Sequence, residues 1–203
     1  MSLLALLSAP ASRHVVLDGD SIVSGGASNV PVGLSRTQLA ALLPHCSVAS
    51  VAVAGSLANV LPHAGWDTPE PSNTIAYVAV GHNDLNAGMT AAAVYAGIAA
   101  VVTELRNGGA LYVVVRTVIA GTLTAPQETQ RLALNVLLRA DKAGAHALHD
   151  AALDSYFAAP GWGPSQASTY LEGDSTGDSV HPGTAGTLRL MTGLADVINA
   201  GLL

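Results

Sequence analysis

The 203-residue chain has a single cysteine, Cys46, so no internal disulfide can brace it. The fold must hold by its core, and cysteine usage leaves the redox compartment open. Charged residues make up only 11% of the chain, and the net charge is −6 with no block of Lys or Arg. That excludes the basic footprint expected of a protein that binds nucleic acid or an anionic membrane surface. No apolar run is long enough to span a bilayer. Aromatics are scarce, with one Phe, five Tyr and two Trp, so the interior has to be built mainly from Ala, Val and Leu. The opening "MSLLALLSAPAS" lacks a basic start and has only a short apolar stretch. It reads as a frayed or packed N-terminus rather than a secretion signal, and the sequence names no compartment.

What is present is apolar and regularly spaced. Half the residues are hydrophobic, enough for one domain over residues 1–203 with a well-filled core. Short β-branched runs predict buried parallel strands: "HVVLD" (14–18), "VASVAV" (48–53), "IAYVAV" (75–80), "LYVVVRT" (111–117) and, more weakly marked, "AHALHD" (145–150). Between them lie stretches with helical spacing. Ser35, Thr90 and Thr124 are the expected N-caps of three helices, with Gly108 or Gly109 ending the second and Gly144 the third. A last helix is expected to bury Leu188, Met191, Leu194, Ala195 and Ile198. This alternation implies an α/β fold, a parallel sheet covered by helices on both faces.

In such sheets the site lies beyond the carboxyl ends of the strands. Four segments fall at that edge: "DGDS" after the first strand, "AGS" after the second, "GHND" after the third, and "DSVHP" after the fifth. Ser21 follows a buried strand and a tight glycine-containing turn, which exposes its hydroxyl. A serine hydroxyl needs a base to become a nucleophile. His181 is the candidate base, and Asp178, three residues before it, is the candidate to orient it and stabilise the imidazolium. The backbone N–H groups of Ser21 and Gly55 and the amide of Asn83 are candidate donors for a developing oxyanion. Asp18 and Asp20 are expected to bond local backbone N–H groups.

The sequence offers alternatives. "GDSTG" (173–177) matches the G-x-S-x-G turn around Ser175, but it lacks a preceding strand and its histidine follows almost at once. Ser179 reads as a turn residue, and Asp174 is a competing acid. His146 and His149 fall at i, i+3 of a predicted strand and point to opposite faces, so no metal site is expected there. No cofactor is implied. The rings of Trp66 and Trp162, and His82 beside Asn83, are candidate substrate contacts, the alternative for the rings being to pin loops to the body.

Ser21, Gly55, Asn83 and the pair Asp178 and His181 match, in order, the four blocks of the SGNH (GDSL-type) hydrolases, and the chain resembles that family from about residue 14 to its end. The resemblance implies a three-layer α/β/α flavodoxin-like fold with a central, mostly five-stranded parallel sheet. It also implies a Ser21–His181–Asp178 triad, a three-donor oxyanion hole and no metal. Its members hydrolyse esters and thioesters. The expected substrate is a short-chain, above all acetyl, ester of a carbohydrate or small alcohol. The alternatives are a lysophospholipase or acyl thioesterase and, from another class, a non-catalytic binding module. His82 departs from the small residue common in the family at its position, and no acyl-tunnel segment is evident.

Overall fold

The computed structural model describes residues 13–24, 32–61, 71–155, 157 and 180–202. Five strands form one parallel sheet: β1 (Arg13–Gly19), β2 (Cys46–Ser50), β3 (Thr74–Ala79), β4 (Tyr112–Arg116) and β5 (Ala147–His149). Their order across the sheet is β2-β1-β3-β4-β5, the flavodoxin order. The chain leaves β1 toward one edge and returns to β3 on its other side. The direction of winding therefore reverses between β1 and β3, and the crevice at their carboxyl ends is where such folds bind ligands.

The helices are α1 (Ser21–Ser24), α2 (Leu34–Leu42), α3 (His82–Asn86), α4 (Ala91–Asn107), α5 (Ala125–Asp141) and α6 (Thr184–Leu202). They cover the sheet on both sides. Val78, Val113 and Val115 face α4 and α5, whereas Leu17, Tyr77 and Val114 face α2 and α6. The alternation of Val113, Val114 and Val115 between the two cores follows from the period of two along a strand. All six residues of the central β3 are buried, which is why that run is apolar without alternation. Fully burying one Val or Leu side chain contributes roughly 1.5–3 kcal/mol, so these two layers are the main source of stability.

The five predicted strands are present, with shifted bounds. β2 begins two residues before the predicted run. Val51 and Val53 still donate to Leu17 and Gly19 carbonyls but lie beyond the strand itself. Thr90 caps α4, accepting from Ala93 N–H, and Thr124 caps α5 in a capping box with Gln127. Ser35 is not a cap: α2 starts at Leu34 after Gly33, and Ser35 is buried inside the helix. A left-handed glycine ended the preceding turn where a side-chain cap was expected. α5 stops at Asp141, and the expected glycine, Gly144, instead closes a separate 3-10 turn over Lys142–Gly144. On α6, Met191, Leu194, Ala195 and Ile198 are buried as expected, whereas Leu188 is exposed and Leu190 is buried in the first turns instead. His146 precedes β5 and is exposed, whereas His149 is buried at its end.

Candidate active site

The turn from β1 into α1 is built around close packing. Gly19 pairs with Ala79 in the sheet, and a Cβ at Gly19 would collide with the Ala79 carbonyl oxygen. Only glycine fits there. Asp20 follows and is almost wholly buried. Its Oδ1 accepts from the Ile22 N–H at 3.0 Å, while its carbonyl accepts from Val23 and Ser24. Asp20 thereby caps the short helix that starts at Ser21 and leaves the Ser21 side chain half-exposed at its N-terminus. Asp18 likewise accepts from the Gly19 N–H at 2.8 Å, as expected of both aspartates.

His181 arrives from the other end of the chain. Its turn is pinned by the Thr187 N–H, which donates to the Gly183 carbonyl, and by the Thr187 hydroxyl, which donates to the Pro182 carbonyl. Gln38 of α2 donates to the Thr184 carbonyl and ties the start of α6 to its neighbour. The result is a His181 Nε2 to Ser21 Oγ distance of 2.6 Å between residues 160 apart in sequence. Asp178, Asp174, Ser175, Ser179, Trp66 and Trp162 lie outside the described residues.

The second and third loops meet beside this couple. Gly55 turns with φ of 81°, a left-handed conformation that suits glycine, and a Cβ there would meet nothing within 4 Å. The Ser56 N–H donates to the Val53 carbonyl, and Val53 N–H to the Gly19 carbonyl, so this turn hangs from the end of β1. Asn83, near the start of α3, donates from Nδ2 to the Ser56 carbonyl at 3.1 Å. An amide nitrogen carries two hydrogens, so this bond uses one of the two donors of Asn83. Chemically, the arrangement combines a hydroxyl, an imidazole and nearby backbone and amide donors.

The model of the GDSL-like Lipase/Acylhydrolase family matches residues 19–188, a span that takes in every one of these loops. The chain belongs to this family. No curated protein matches it in sequence. Among solved structures, this GDSL-like acylhydrolase is similar in fold to TesA, at 18% identity and a TM-score of 0.70, covering 94% of this chain and 100% of that one. It is similar to the psychrotrophic esterase EstA from Pseudoalteromonas sp. (14% identity, TM-score 0.66, 93% and 97% covered). It is also similar to a catalytic mutant of Axe2, an acetylxylan esterase from Geobacillus stearothermophilus (14% identity, TM-score 0.63, 91% and 93% covered).

Beneath its candidate couple, this acylhydrolase keeps a buried polar layer that the sequence did not disclose. Arg116 ends β4 fully inside the protein, and its Nε and Nη1 have no hydrogen-bond partner among the described residues. Oδ2 of Asp20 is likewise unpartnered. Burial pushes the Asp20 carboxyl above its ordinary range, and the Arg116 charge is the largest influence pulling it back. Tyr77 Oη lies 3.0 Å from His149 Nδ1, and burial raises the phenol to about 12 and lowers the imidazole to about 3. The one signal in the sequence was a lone cation closing the run "VVVR".

His82 is not a rim residue. It is 5% exposed, its Nδ1 has no hydrogen-bond partner among the described residues, and its ring lies so close to Gly121 that a Cβ there would come within 2.7 Å of Cε1. Burial, then the charges of His181 and Arg116, lower it to about 4. Among the described residues no group of three or more His, Cys, Asp or Glu side chains could hold a metal ion. No helix among them is long and apolar enough to cross a membrane.

Proposed function

We propose that this GDSL-like acylhydrolase is a serine esterase in which Ser21 is the nucleophile, His181 the general base and Asp178 the acid that orients His181. Ser21 Oγ attacks the ester carbonyl while its proton passes to His181 Nε2. The negative oxygen of the tetrahedral intermediate is received by the Ser21 and Gly55 N–H groups and the Asn83 amide. His181 then gives its proton to the departing alcohol, leaving an acyl group on Ser21. A water, deprotonated by His181, attacks that acyl carbon and releases the acid. The observation that carries this reading is the 2.6 Å contact between Ser21 and His181, side chains with no local reason to meet. His82, being buried, forms a wall behind Asn83 in this reading and leaves substrate contact to Trp66 and Trp162.

The substrate we infer is a short acyl ester, acetyl above all, on a carbohydrate or small alcohol. It is supported by the absence of a long apolar segment in the site loops, by rings suited to flat ligand faces, and by the acetylxylan esterase among the similar folds. A lysophospholipase or thioesterase reading is favoured by one observation: Val53 and Val60, on either side of Gly55, are both more than half exposed and offer apolar surface to a chain. The test is kcat/KM for p-nitrophenyl esters from about two to twelve carbons, since each buried methylene contributes roughly 0.8 kcal/mol. The expected maximum is at the shortest acyl group. A steady rise toward the longer chains makes the second reading correct.

A further inference from the structure

Three groups hold the turn that carries Gly55, and only one of them belongs to the proposed chemistry. Asn83 bonds the Ser56 carbonyl. Its neighbour Asp84 is completely buried, and both carboxylate oxygens face one backbone group, the Ala58 N–H, at 3.0 and 3.2 Å. Ala58 opens a 3-10 turn over Ala58–Val60 and is itself buried. From the opposite side, α4 presses Gly97 against it, so close that a Cβ on Gly97 would lie 3.0 Å from the Ala58 Cβ. The turn is thus gripped between a carboxylate on α3 and a bare stretch of α4 backbone.

We infer that Asp84 is a positioning residue, whose grip on Ala58 sets where the Gly55 N–H points relative to the Asn83 amide. This inference rests on the oxyanion reading of Gly55 and Asn83. The physical argument is one of registration. Asn83 and Asp84 are adjacent on one short helix, and they bond Ser56 and Ala58, two residues apart on the facing turn. With its other end hung from β1, the turn is held to α3 at two points, which fixes its distance and its rotation more tightly than Asn83 would by itself. A charge-assisted bond inside the protein is strong enough to do so. Oxyanion donors act only when aimed at the place where charge develops, so a small rotation of the turn weakens the transition state and spares ground-state binding.

The test compares Asp84→Ala, Asp84→Asn, Gly97→Ala and Asn83→Ala in the whole chain. Asp84→Ala is expected to lower kcat by roughly tenfold to a hundredfold with KM nearly unchanged, a fraction of what one donor lost outright costs. Asp84→Asn keeps an acceptor and the shape, and is expected to recover most of that loss. Gly97→Ala raises helix propensity but pushes on Ala58, so it is expected to lower kcat without lowering the melting temperature. It also decides the matter should Asp84→Ala not fold. Unchanged kcat in a folded Asp84→Ala protein, or in Gly97→Ala when the Asp84 variant is unfolded, overturns the inference. So does a loss that appears in KM alone. If Asn83→Ala retains full kcat, the oxyanion reading itself fails and this inference falls with it. If Asn83→Ala is crippled while Asp84→Ala is normal, only the role of Asp84 is lost.

Discussion

The two sides of the candidate site are held by different forces. On the side of Gly55 and Asn83, the turn is held to α3 by hydrogen bonds from Asn83 and Asp84 and backed by Gly97 of α4, and Asp84 has both oxygens engaged. On the side of Ser21, Asp20 has one oxygen bonded and one bare, with the unpartnered nitrogens of Arg116 as the charge that offsets it. One side is fixed by directional contacts that tolerate little rotation. The other is fixed by burial and by a field that acts over a longer reach. Changes on the first side should therefore register in rate, and changes under the second should register in stability and its dependence on pH.

The largest expected effect is at the proposed nucleophile. Ser21→Ala should reduce ester hydrolysis to background and abolish fluorophosphonate labelling, whereas Ser175→Ala and Ser179→Ala should keep both. A labelled peptide mapping to residues 173–183 would move the nucleophile to Ser175 or Ser179. Next comes Asn83→Ala, expected to lower kcat by on the order of 10²–10³ with an unchanged unfolding midpoint. A variant that loses stability but not rate would break the contrast between the two sides.

Arg116→Met tests the other half. It should leave KM close to the parent value and cost on the order of 2 kcal/mol in stability at neutral pH, because the buried Asp20 carboxylate loses its offsetting charge. Asp20 already sits above its ordinary pKa, so its ionisation opposes folding as pH rises through the folded value; removing Arg116 enlarges that opposition. Arg116 also lowers His82 and His149, so its loss lets both accept protons more easily in the folded state. Both changes have the same sign, and denaturant titrations at pH 5 and pH 8 should show the smaller penalty at the lower pH. Equal penalties would mean that Arg116 acts by packing alone.

The smallest effect is in the unmodified protein. His82 and His149 titrate near 4 and 3 when folded and near 6.5 when unfolded. Between those values the unfolded chain holds the extra protons, so these two groups make stability rise with pH up to about 6.5. A His149→Gln variant should show a shallower fall in unfolding midpoint on acidification than the parent chain.

The sheet was legible because β1, β3 and β4 are β-branched runs with no competing helical spacing, β5 being the weakly marked strand, and the caps at Thr90 and Thr124 were legible because their chemistry is local. Ser35 misled for the same reason: a residue type favoured at caps was available, but Gly33 had already turned the chain. The candidate couple could be named because Ser21 and His181 belong to short motifs, one at the end of β1 and the other just before α6. Arg116 could not, since nothing in "VVVR" says whether the last side chain leaves the core or enters it; that is decided by Asp20, Tyr77 and His149, which are remote in sequence. Asp84 was visible in "GHND", but its partner Ala58 is an unremarkable alanine whose backbone alone is used.

The 160 residues separating Ser21 from His181 also set a timetable. A ribosome adding about 5–20 residues per second delivers the hydroxyl first and the imidazole roughly 8–30 seconds later. Throughout that interval the nascent chain carries the proposed nucleophile without its proposed base. The couple closes only when α6 settles beside α2, which the Gln38 bond to Thr184 secures. On the proposed roles of Ser21 and His181, acyl-transfer competence is a late event in the life of each molecule, and its first appearance reports that the two ends of the fold have found each other.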